Sequence, residues 1–76
     1  MKTNEELKKS MIMYVKDNIS DFSNQLDEKE AMAFKHTIRG QIAMMHFTGL
    51  INKDEASNLY NELGKAGEKA EKNIYY

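Results

Sequence analysis

Residues 31–52 read AMAFKHTIRGQIAMMHFTGLIN. The stretch carries Phe34, Ile38, Ile42, Met44, Met45, Phe47, Leu50 and Ile51, while all twelve Asp and Glu of the chain lie outside it. Its charged side chains are Lys35 and Arg39, with His36 and His46 close by. Ala31, Phe34, Ile38, Ile42 and Met45 recur at the three-and-four spacing that stacks side chains on one face of an α-helix. A second seam, Ala33, Gly40, Ala43 and Met44, follows a different face of the same helix. A helix apolar over so much of its circumference needs neighbours on several sides. The stretch therefore predicts a buried central helix with a more polar helix before and after it.

The ends of this helix are marked. Asp27, with Glu30 three residues on, has N-cap chemistry, and Leu26 and Ala31 form the pair that staples the entry. Gly49 ends the helix as a left-handed residue, with Leu50 folding back over Met45 as in a Schellman motif. Gly40 in the interior costs roughly 0.5–1 kcal/mol relative to alanine, which close approach of another helix would offset.

Working outward, Asn52 and Glu55 cap a third helix, with Ile51 and Ala56 as its staple. Ala56, Leu59, Tyr60 and Leu63 mark its inward face, and Gly64 or Gly67 is the expected stop, with 65–72 free to extend or fray. On the other side, Thr3 and Glu6 form a capping box for a first helix. Leu7, Met11, Val15 and Ile19 then recur every four residues, and 18–20 reads as its end. In between, 20–26 (SDFSNQL) is rich in residues that favour turns. It reads as a connector with a short extra turn that buries Phe22 and Leu26. The predicted fold is thus an all-α, small three-helix domain over 1–76, with helices near 4–19, 28–48 and 53–64 or longer. Helices 2 and 3 form an αα-hairpin through the tight turn at 49–52. The predicted core is Leu7, Met11, Val15, Phe34, Ile38, Ile42, Met45, Leu50, Leu59 and Leu63.

Composition narrows the function. The chain has 76 residues, no Cys and a net charge of −1. A domain this small buries only roughly 60–65% of its unfolded surface, and without Cys it has neither a disulfide nor a thiolate zinc site. Near neutrality it has no long-range field to gather nucleic acid or an anionic membrane. No apolar run approaches the roughly 18 residues that span a bilayer. The start, MKTNEELKKSM, lacks the apolar segment of a secretory signal. The expectation is a cytoplasmic protein.

Catalytic chemistry finds little support. His36 and His46, the only two histidines, lie roughly 80° apart around one helix and about 15 Å apart along it, so they cannot share an ion within one chain. The carboxylates cluster at helix starts, where capping and the helix dipole account for them. No serine sits in a nucleophile elbow, and no phosphate-binding or dinucleotide-binding glycine motif occurs. The expectation is no enzyme, no cofactor and no metal.

Two binding readings remain. Six methionines, two of them (Met44 and Met45) just before Phe47, suit an adaptable protein-binding surface as well as a core. The alternative is a helix-turn-helix-like DNA-binding regulator built on 44–60, supported by Gly49 and by the basic strip Lys35, Arg39 and His46. Against it, Asp54 and Glu55 would face phosphates, and Glu55 and Asn58 fill positions that such motifs keep apolar. The segment 49–63, GLINKDEASNLYNEL, resembles the Gly-Leu-Ile-cap-x-x-Glu-Ala hairpin of short helical proteins from low-GC Gram-positive phages and plasmids. The chain's many Lys and Asn and its single Arg fit that source. The resemblance covers about a fifth of the chain and implies a folding solution, not a chemistry. The function expected is a non-catalytic protein–protein interaction module, a small phage- or plasmid-type regulator or inhibitor that binds a host protein. The expected partner-binding residues are Lys35, Arg39, Gly40, Ala43, Met44, Phe47, Tyr75 and Tyr76. A homodimer is expected too, because helices 1 and 3 cannot cover every apolar face of helix 2.

Overall fold

The computed structural model describes residues 3–76; the first two positions of the predicted domain, Met1 and Lys2, lie outside it. Three helices follow one another: α1 (Asn4–Ser23), α2 (Glu28–Phe47) and α3 (Lys53–Tyr75). Each packs against both others. The result is an elongated all-α bundle of 43 × 23 × 14 Å. Polar rungs show the directions. Lys8 pairs with Glu55 at 2.7 Å, Lys16 with Glu62 at 3.9 Å, and Lys69 donates to Asn24 at 3.2 Å. Those partners keep a nearly constant sequence offset, so α1 and α3 run parallel and α2 returns between them.

The helix starts form where the capping residues stand. Thr3 accepts from the Glu6 N–H, and Asp27 from the Glu30 N–H. Asn52 and Glu55 make the full reciprocal box, at 2.8 and 2.9 Å. At the end of α2, Gly49 has φ +81, the Leu50 N–H donates to the Met45 carbonyl and the Gly49 N–H to the His46 carbonyl. That is the Schellman pattern, and only glycine enters the left-handed region without strain.

The end of α1 and the staple at 26 and 31 differ from expectation, and α3 takes the longer of its expected lengths. α1 continues through 20–23, because the turn-forming residues there satisfy the helix end instead of breaking it. Ser23 Oγ donates to the Ser20 carbonyl and Gln25 Nε2 to the Asp21 carbonyl. Phe22 is buried, but Leu26 is 76% exposed, so no staple forms with Ala31. α3 passes through both Gly64 and Gly67 to Tyr75. Its inward face continues past Leu63 as Ala66, Ala70 and half-buried Ile74, an extension of the same spacing with smaller side chains.

The core is Val15, Ile19, Phe22, Ala31, Ile38, Ile42, Met45, Ile51, Ala56, Leu59, Leu63, Ala66 and Ala70. Met11, Phe34 and Leu50 pack against it only in part, and Leu7, beside the α2–α3 turn, is left exposed. Tyr60, assigned to the inward face, is largely exposed and lines the α2–α3 groove.

Glu55 links helix start and helix packing. A hydrogen bond from Lys8, helped by the Asn52 backbone N–H, holds its carboxyl below the ordinary glutamate value. A depressed folded pKa means that the stability it contributes is present above the unfolded value and lost as pH falls through the folded one. Glu55→Gln keeps an acceptor for Asn52 but removes the charge. The variant is expected to be slightly less stable at neutral pH and to converge with the parent chain below the glutamate range. Urea titrations at neutral and acid pH check this; a gap that stays constant with pH would contradict it.

Candidate interaction surface

The surface is set by which side of α2 the other helices leave uncovered. Ala31, Ile38, Ile42 and Met45 face inward and are buried. On the opposite side, 3.6 residues per turn place Met32, Ala33, His36, Gly40, Ala43 and Phe47 in one stripe, with Met44 beside it. All of them are exposed, including Phe47 at 88%, Met44 at 61% and Met32 at 54%. The small-residue seam seen in the sequence therefore looks outward. Gly40 is not a point of close helix approach within the chain, since nothing lies within 4 Å of where its Cβ would be.

The eight residues singled out from the sequence do not form one patch. Gly40, Ala43, Met44 and Phe47 share the outer stripe. Lys35 and Arg39 stand on its flank, over the groove between α2 and α3 that Phe22, Tyr60, Leu63 and Gly67 also line. His46 falls on the same flank by helical geometry. Tyr75 is at the far end. It lines a second shallow groove with Glu28, Met32, Lys35 and Ile74. A hydrogen bond to the Glu28 carboxylate, then partial burial and the charges of Glu28 and Glu71, raise its phenol above the usual tyrosine value. From Glu28 to Phe47 is roughly 28 Å along α2, so Tyr75 and Phe47 mark opposite ends of the molecule. Tyr76 is almost wholly exposed. Met32, Ala33 and His36 were absent from the predicted set, although their spacing from Gly40 and Phe47 carried the signal.

No other constellation stands out. Among the described residues, no cluster of three His, Cys, Asp or Glu is placed to hold a metal ion. No described helix is long and apolar enough to cross a membrane. No buried side-chain polar atom among the described residues lacks a hydrogen-bond partner. No protein-family model, curated protein or solved structure matches the chain.

Proposed function

We propose that the chain is a non-catalytic protein-interaction module, a small cytoplasmic regulator or inhibitor of the phage or plasmid type that acts by binding another protein. The observation that supports this reading is the outer face of α2. Phe47, Met44 and Met32 stand in solvent on a helix that already has a complete inward face. Exposed apolar side chains are common singly; three on one side of a helix, with the small Ala33, Gly40 and Ala43 between them, favour a partner surface. Aromatic and Met side chains are also those that interfaces favour.

The DNA-binding alternative draws on Lys35, Arg39 and His46 sharing one flank of α2. It is weakened at α3, whose first turn presents Asp54 and Glu55, with Glu55 engaged by Lys8. Immobilised chain and its Phe47→Asp variant, run in parallel against a cell extract, test the choice. A protein retained in stoichiometric amount by the parent and lost by the variant is the expected result. Equal retention by both, or a gel shift on duplex DNA that weakens steeply with salt, would reject it.

A further inference from the structure

Resting on the reading of this face as an interaction surface, we propose that, until a partner protein displaces it, the outer face of α2 is covered by a second copy of this chain, packed antiparallel with a two-fold axis at Gly40, so that self-pairing and partner capture compete for the same residues. The order of side-chain sizes carries the inference. Seven residues before Gly40, about 10.5 Å along the helix, stands Ala33; seven after it stands Phe47. A two-fold rotation at Gly40 lays each Phe47 over Ala33 of the second copy. It lays each Met44 opposite His36, and brings the two glycines together at the crossing point. Large meets small at both ends, and the centre has no side chain to hold the helices apart. A parallel pair would crowd Phe47 against Phe47 and leave a void between the two Ala33, against the close packing that stable contacts require.

Area and charge agree. Phe47 is 88% exposed and offers roughly 150–200 Å² by itself. With Met32, Met44 and the small residues, two copies would bury roughly 1,000–1,200 Å², the size of a weak, reversible interface. The antiparallel arrangement brings Lys29 of each copy to the negative, carbonyl end of the other's α2. It also sets Arg39 beside Arg39 on one edge of the pair. That contact is repulsive and solvent-exposed, so salt screens it. Salt screens the Lys29 attractions and the Arg39 repulsion alike, so the pair should depend only weakly on salt, whereas an acidic partner on the same basic flank would be released.

The chain has no cysteine, so a single introduced thiol reports the axis. Gly40→Cys is expected to form a disulfide-linked dimer rapidly under mild oxidation, while Ser57→Cys, exposed on α3, stays monomeric. Sedimentation equilibrium of the parent chain is expected to show a dimer that persists at high salt. Phe47→Ala and Gly40→Leu should each shift it to monomer with unchanged helical circular dichroism. A parent chain that is monomeric at high micromolar concentration, or a dimer that survives both substitutions, overturns the pairing. So do a dimer that dissociates completely at high salt and a Ser57→Cys chain that cross-links as fast as Gly40→Cys. A monomeric parent that still loses its captured protein on Phe47→Asp overturns the pairing alone; if that capture is also unaffected, the interaction reading fails with it.

Discussion

Ile38→Ala is expected to lower the stability of this chain by about 2–5 kcal/mol, the range for truncating a buried Ile, Leu or Met. Ile38 is fully buried at the middle of α2. There all three helices meet, so the neighbours cannot collapse into the space without parting from one another. For 76 residues, total stability is roughly 4–11 kcal/mol, taking 0.05–0.15 kcal/mol per residue. The single truncation therefore removes a large share and markedly lowers the midpoint of urea unfolding. Ile38→Val should cost only about 0.5–1.5 kcal/mol. Leu26→Ala, at a side chain left in solvent, should stay within about 0.5 kcal/mol of the parent. Equal midpoints for Ile38→Ala and Leu26→Ala would mean that α2 does not face inward through Ile38.

The second large effect is expected at Phe22→Ala, about 3–5 kcal/mol if the site does not collapse. Phe22 is buried at the last turn of α1. Its ring lies 3.6 Å from the position a Gly67 Cβ would take, and with Ala70 and Ile74 it lines the groove at that end. Few other large side chains hold the final turns of α3; the Asn73 donation to the Ser23 carbonyl is a polar supplement at the surface. Removing the ring should thus loosen 67–75 before the rest. Hydrogen exchange is expected to show lost amide protection concentrated there, with α2 less affected. Protection lost evenly over all three helices would argue instead that the chain opens only as a whole.

Those two positions show what was legible before the structure. Ile38 belongs to the three-and-four seam of α2, and the caps at Asp27, Asn52 and Gly49 are equally local, so fold class, helix order and the α2–α3 turn could be read from residues 27–55. The burial of Phe22 was legible as well, but that α1 runs on to carry it, and that α3 reaches Tyr75, was not. Helix propensity assigns 20–26 and the two glycines to turns, yet α1 and α3 continue because packing overrides so weak a preference. The sign that α3 continues was the extension of Leu59 and Leu63 to Ala66 and Ala70, easy to overlook because alanines carry little apolar area. Leu7 failed in the other direction. It keeps the spacing of the α1 stripe but stands beyond the reach of enough neighbouring side chains. At the surface, both seams of α2 were visible, but which one faces out depends on where α1 and α3 settle. The separation of Tyr75 from Phe47 likewise follows from the direction of α3, which periodicity does not encode.

An odd number of helices, running up, down and up, leaves the first and last helices pointing the same way, so the start of α1 and the end of α3 lie at opposite poles of a 43 Å body. In the antiparallel pair, that polarity places the end of one copy at the same pole as the start of the other. A gene encoding two copies in tandem could then be joined without a tether running the length of the molecule. A parallel pair would need a tether of at least about 12 residues at full extension to cover the same span. The direction of pairing is thus written into how the protein can be concatenated, and a short-tethered tandem that folds as one compact unit is a form only the antiparallel arrangement permits.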